Sequence, residues 1–143
     1  MLGATKRSLR VHQIVRILID TNCWLWMVSE PERLSKRARR RILDGANERV
    51  LSAVSAWEIA IKYSIGKLQL PEPPADFIPS RMALTLTTPL AVQLSHSLQA
   101  SRLPFHHRDP FDRLLIAQAQ IEKLPVLTAD NQFSLYDVEL VQG

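Results

Sequence analysis

The chain holds one cysteine, Cys23, in 143 residues. No internal disulfide can form, so nothing calls for an oxidising compartment. It holds only 4 glycines and no glycine-rich loop, which argues against nucleotide binding of the P-loop or dinucleotide type. Long apolar runs are also missing. The longest candidate, "IVRILI" (14–19), is broken by Arg16 and falls far below the roughly 18 residues of a membrane span. The basic start lacks a signal-peptide pattern, because Asp20 follows the apolar stretch at once and no small-residue cleavage site appears. There is no repeat, no low-complexity tract and no sign of a second domain. The expectation is a cytoplasmic protein with no membrane contact.

Charge is unevenly placed. The net charge is +4, from 18 basic and 14 acidic residues. Lys6, Arg7, Arg10 and Arg16 fall in the first 16 residues, which contain no acid. The remainder is balanced. Residues 1–13 read as a disordered basic tail, either a leader or a nucleic-acid contact. Residues 14–143 read as a single domain, a length that buries a proper core.

Along that domain, apolar runs and helical patterns alternate. "VRILID" (15–20), "RVLSAV" (49–54), "ALTLTT" (83–88) and "PVLTA" (125–129) read as strands, with "VELV" (138–141) as a fifth. "LSKRARRRILDGANE" (34–48) reads as a helix with Leu34, Ala38, Ile42 and Leu43 on one face. "SAWEIAIKYSIGKL" (55–68) reads as a helix with Trp57, Ile61 and Ile65 at four-residue spacing, ended by Gly66. The proline-rich "PEPPADFIP" (71–79) reads as a loop leading into a helix. "PLAVQLSHSLQA" (89–100) reads as a helix opened by its proline. The clearest helix is "DPFDRLLIAQAQIEKL" (109–124). Strictly alternating elements of this kind give a mostly parallel sheet of four to five strands, covered by helices on both faces.

In such a sheet, ligands bind outside the carboxyl ends of the strands. The acids fall on that edge. Asp20 ends the first strand, Glu58 lies in the first turn after the second, Asp112 opens the helix before the fourth, and Asp130 follows the fourth. Four carboxylates on one rim repel one another, and their pKa values rise unless a cation compensates. Hard divalent ions such as Mg2+ or Mn2+ suit oxygen ligands. They acidify water and offset charge on a phosphate under attack. No cysteine or histidine cluster offers a zinc alternative, since His106 and His107 are adjacent and diverge on a helix or strand.

Each acid also has a structural reading. "SAWE" (55–58) fits a capping box, with Ser55 as cap and Glu58 reaching back. Asp109 with Pro110 behind it fits a helix start. Asp130 fits a cap for "NQFSLY". Asp20 fits a structural role least well, directly at the end of a buried strand. In "HHRDPFDRLLIAQAQ" (106–120) the acids therefore divide: Asp112 as ligand, Asp109 as cap with a possible minor ligand role. Arg108 and Arg113 either relieve the acid–acid repulsion, bind phosphate, or form surface ion pairs.

"LIDTNCWLW", "SAVSAWEIAIKYSIGKLQLP", "HHRDPFDRLLIAQA" and "VLTAD", in this order, resemble the PIN domain, and more narrowly the VapC-type toxins of bacterial toxin–antitoxin pairs. The resemblance spans about residues 14–141. It implies a compact three-layer α/β/α sandwich and a Mg2+- or Mn2+-dependent endoribonuclease that hydrolyses RNA phosphodiester bonds. Asp20, Glu58, Asp112 and Asp130 match the family's acids, with Glu58 acting directly or through water. Thr21 and Asn22 match the polar positions behind the first acid, and Asp109 matches an acid of one subgroup. The resemblance further implies a cognate antitoxin protein seated on the active-site side, and paired toxin subunits, hence a homodimer.

"RLSKRARRRI" (33–42) carries six basic residues in ten. It reads as a solvated face, a phosphate contact, or a dock for an acidic antitoxin segment. Trp57 reads as core or partner surface; Trp24 and Trp26 diverge if Asp20 opens a helix. A receiver domain is excluded by the missing strand acid and late lysine, and an aspartate phosphatase by Asn22, where a second acid is required. A housekeeping PIN-type RNA-processing nuclease remains the nearest alternative. A non-catalytic nucleic-acid module has no use for four acids that repel phosphate.

Overall fold

A computed structural model describes residues 15–143; the expected basic tail lies outside the described residues. The first strand, β1 (Val15–Ile19), runs into α1 (Thr21–Ser29) with a single residue between them, Asp20. There follow α2 (Lys36–Leu43), β2 (Asn47–Ser52), α3 (Ala53–Ser64), α4 (Pro74–Leu84), β3 (Thr87–Leu90), α5 (Leu94–Arg102), α6 (Pro110–Glu122), β4 (Val126–Thr128) and β5 (Leu140–Gln142). Short 3-10 turns at Pro31–Arg33 and Asn131–Leu135 complete the chain.

The five strands form one sheet in the order β3-β2-β1-β4-β5, and every pairing is parallel. β1 is central, which is why "VRILI" is an unbroken apolar run apart from Arg16. Its side chains alternate between two cores. Ile17 and Ile19 pack with Trp24, Ala38, Ile42, Ile59 and Phe77. Leu18 packs on the other face with Leu103, Leu115, Ile116 and Phe133. The result is the expected α/β/α sandwich.

Several boundaries differ from the sequence reading. α3 begins two residues earlier than expected, and Ser52 rather than Ser55 caps it by accepting the N–H of Val54. Ser55 is buried inside the helix instead. The helix consequently turns Val54, Ser55, Glu58 and Ile59 inward and leaves Trp57 62% and Ile65 59% exposed. Gly66, at φ 77, ends it as expected. Leu43 is 79% exposed, because α2 stops there and only Ala38 and Ile42 of that helix are buried.

The expected third strand at 83–88 shifts. α4 runs on to Leu84, Leu86 turns the chain at φ 52, and β3 occupies Thr87–Leu90. Pro89 is thereby a strand residue, not a helix start. The edge position of β3 tolerates a residue without an N–H. α5 opens instead at Gln93, whose N–H donates to Nδ1 of His96 (2.9 Å).

Candidate active site

The carboxyl ends of β1 and β4 are neighbours in the sheet, with Ile19 opposite Leu127. Asp20 and Asp130 therefore emerge side by side, and Thr128 ties them together. Its hydroxyl donates to Oδ2 of Asp20 (2.5 Å) and accepts the N–H of Asp130 (3.0 Å). The other oxygen of Asp20 caps α1 through the N–H of Cys23 (2.8 Å). Asp20 thus has a structural role after all, alongside its place on the rim. Burial, the largest influence, pushes its carboxyl above the usual range against these hydrogen bonds, and the charge of Asp130 adds to the rise. The same burial pushes the Cys23 thiol far up.

Asp112 stands in the first turn of α6, whose cap is Asp109 as expected. Oδ1 of Asp109 accepts the N–H of Phe111 (2.9 Å) and, at a longer 3.5 Å, that of Asp112. The Asp112 carboxyl is raised to about 7. Burial is the main cause. The charges of Asp109, Glu58 and Asp20 raise it further, and His107 opposes them. Four of the five predicted acids thus act on one another at this point, and Asp130 joins them through His107.

Glu58 is only 4% exposed. Its Oε2 accepts from Nζ of Lys62 (2.8 Å), and its Oε1 is buried with no hydrogen-bond partner among the described residues. The capping-box reading fails, because the cap lies six residues upstream at Ser52. Lys62 was not anticipated, although its i, i+4 spacing from Glu58 carried the signal. Burial tends to lower its pKa, but the hydrogen bond and charge of Glu58, with Asp109 and Asp112, raise it.

His107 also escaped the sequence reading. It does diverge from His106, as adjacent residues must, and that divergence sends one ring inward. His107 is 8% exposed. Its Nε2 lies 3.0 Å from Oδ2 of Asp112 and 3.0 Å from Oδ2 of Asp130. Asp130 meanwhile caps the turn behind it through Gln132 (2.9 Å), as expected.

The remaining predicted residues divide. Thr21 is buried and donates to Oγ of Ser55 (2.9 Å). Asn22 is exposed and lines a separate cavity. Arg108 is exposed and borders a polar cleft of about 360 Å³ with His106, His107, Asp109 and Gln132. Arg113 does not face phosphate: it is 7% exposed, and its guanidinium donates to the carbonyls of Ala100, Leu103, Pro104 and His107 (2.9–3.2 Å). It fixes the end of α5 and the loop before α6. A cavity of about 620 Å³ is lined by residues such as Trp26, Leu70 and Phe77 and by none of the acids above. Charge, not cavity size, locates the site.

The donor set fits a hard divalent cation. Carboxylate oxygens dominate it, a cation would oppose the burial and charge that raise Asp112 to about 7, and the buried Oε1 of Glu58 has no hydrogen-bond partner among the described residues.

Fold and rim together define an α/β protein with an acidic strand-end site. The PIN domain family matches residues 17–139, and the chain belongs to that family. Ribonuclease VapC16 of Mycobacterium tuberculosis is 49% identical to it over 59 residues, which cover 41% of this chain and 42% of that protein. The match thus spans less than half of that relative. The fold is similar to that of VapBC2 from Rickettsia felis bound to a DNA fragment from its promoter (TM-score 0.66, 13% identity, 90% of this chain and 98% of that one). It is also similar to DNA-bound VapBC from Salmonella typhimurium (TM-score 0.67, 14% identity, 90% and 98%). FitAcB from Neisseria gonorrhoeae follows (TM-score 0.57, 21% identity, 88% and 96%). At such identities the likeness is one of fold.

Proposed function

We propose that this protein is a metal-dependent endoribonuclease, using Mg2+ or Mn2+, and the toxin of a toxin–antitoxin pair. The observation that carries the nuclease reading is the crowding at Asp112, where burial first, and then the charges of Asp109, Glu58 and Asp20, raise a carboxyl to about 7. The toxin role rests on the partial identity with Ribonuclease VapC16 and on the shared fold of VapBC complexes. A cognate antitoxin protein neutralises it, and the active form is a pair of subunits.

Asp20, Asp112 and Asp130 would hold the ion, and Glu58 would join them directly or through water. When bound, the ion supplies positive charge against the scissile phosphate and acidifies the attacking water. The chain does the rest. Thr128 and the N–H of Cys23 fix the Asp20 carboxylate at its two oxygens. Lys62 holds Oε2 of Glu58, which leaves Oε1 to orient the nucleophile and take its proton. Arg108, exposed beside the cleft, is placed to meet a substrate phosphate.

The test is cleavage of single-stranded RNA by the purified protein. Cleavage should require Mg2+ or Mn2+, stop in EDTA and return when the ion is restored. Undiminished cleavage in EDTA would falsify the metal mechanism. Arrest of growth on expression, relieved by the neighbouring gene's product, tests the toxin role separately.

A further inference from the structure

His107 stands where a metal ligand would be sought, with Asp112 and Asp130 both 3.0 Å from its Nε2. The other ring nitrogen decides its role. Nδ1 lies 3.2 Å from the backbone N of Asp109, which donates to it. A backbone N–H has no alternative to donating, so Nδ1 must be the bare acceptor. In the neutral ring the hydrogen then sits on Nε2. A nitrogen carrying a hydrogen has no lone pair in the ring plane for a metal. Coordination through Nε2 would move that hydrogen to Nδ1, where it would face the Asp109 N–H head on.

The ring has little freedom to escape this. The backbone N–H of His107 donates to the Tyr136 hydroxyl (2.8 Å), which in turn donates to the Pro104 carbonyl (2.6 Å). Its carbonyl accepts from Arg113 (3.2 Å). Phe133 meets the ring nearly at a right angle, 6.0 Å between centroids. A buried arginine and a buried tyrosine thus fix one loop residue from both sides.

We propose that His107 is a positioning residue and not a metal ligand: its Nε2–H donates to Oδ2 of Asp130 (3.0 Å) and holds that carboxylate beside Asp112, whose Oδ2 lies at the same distance from the ring nitrogen. Oδ1 of Asp130 already accepts from Gln132, so the aspartate from β4 is held at both oxygens and enters the site preorganised. The inference rests on the nuclease reading for its consequence, but the tautomer does not.

Three measurements separate the outcomes. Long-range 1H–15N NMR of the imidazoles in the full chain, without metal, should show His107 as the Nε2–H tautomer. A Nδ1–H tautomer overturns the proposal. On saturation with Mg2+, the Nε2–H signature should persist; its replacement by a coordinated Nε2 also overturns it. Calorimetry on His107→Leu should show Mg2+ and Mn2+ binding weakened by a similar factor, about 10–100-fold, as for other residues that orient metal ligands. A much larger loss for Mn2+ than for Mg2+ would mark a nitrogen ligand and sink the idea. His107→Gln, which keeps an N–H at the same reach, should recover a large part of the lost affinity. No recovery in a folded Gln variant counts against the donor role. If wild-type protein binds neither ion and cuts no RNA, the nuclease reading fails; the tautomer measurement still tests the donor geometry.

Discussion

Nζ of Lys62 lies 2.8 Å from Oε2 of Glu58, while the second oxygen of that carboxylate is buried and has no partner among the described residues. An ion pair with one orphaned oxygen is poor design for stability and good design for a ligand. Glu58 carries no cap, so Glu58→Gln removes charge without undoing a helix start. Stability should change by less than about 1 kcal/mol, because the lysine of the pair is partly solvent-exposed and glutamine keeps a hydrogen-bonding group of the same size in place. RNA cleavage should fall by about 10²–10⁴-fold, the range of a lost acid–base group. A melting curve and a single-turnover assay on one preparation would check both, and near-normal cleavage would remove Glu58 from the site.

The two aspartates of "DPFD" should separate by function. Asp109→Asn keeps the cap, since asparagine accepts the same backbone hydrogen bonds, and should retain measurable cleavage. Asp112→Asn should fold normally and cut nothing. If Asp109→Asn proved the deader variant, the two roles would have to be exchanged.

The raised Asp112 carboxyl makes the metal-free protein pH-sensitive. In the folded chain this group holds its proton up to about 7, against 3.8 in its ordinary state. The native state therefore binds the proton more tightly than the unfolded chain does. Its stabilising contribution is complete below 3.8 and is lost as pH rises through about 7. The melting temperature without metal should fall over that window, and Asp112→Asn should flatten the fall. Saturating Mg2+ should restore stability above pH 7, by about 2.7 kcal/mol at a hundredfold excess over its dissociation constant. A wild-type profile unchanged by Asp112→Asn would show that some other group carries the titration.

Arg113 should behave as a structural residue. It donates to four carbonyls that no lysine could satisfy together. Arg113→Lys should cost on the order of 2 kcal/mol or more, since hydrogen bonds to charged groups are worth about 1.5–3 kcal/mol each. Denaturant midpoints would measure this. A lysine variant with an unchanged midpoint would mean that the buried fork contributes nothing.

The alternation of strands and helices, and the four rim acids, were readable because each rests on a local pattern. β1 is an apolar run ending on an acid, and α6 opens with Asp109–Pro110. What failed was choice among equivalent local signals. Ser52 and Ser55 are both plausible caps, and only the register of β2 against β1 selects the first. "ALTLTT" alternates like a strand, but tertiary packing carries α4 through its first residues. His107 was set aside on the argument that adjacent residues diverge. That argument is correct, but a site needs only one of the two rings. Arg113 looks like any charged residue of an amphipathic helix, and its burial depends on carbonyls 6 to 13 residues away.

Cys23 sits one helical turn past Asp20, wholly buried, with its thiol pushed far from ionisation. A thiol so placed is chemically silent while the β1–α1 junction is intact. It is also the chain's single sulfhydryl. The rate at which an alkylating reagent captures it is therefore a clock for the opening of the rim, one that runs without RNA, without an ion and without any added label.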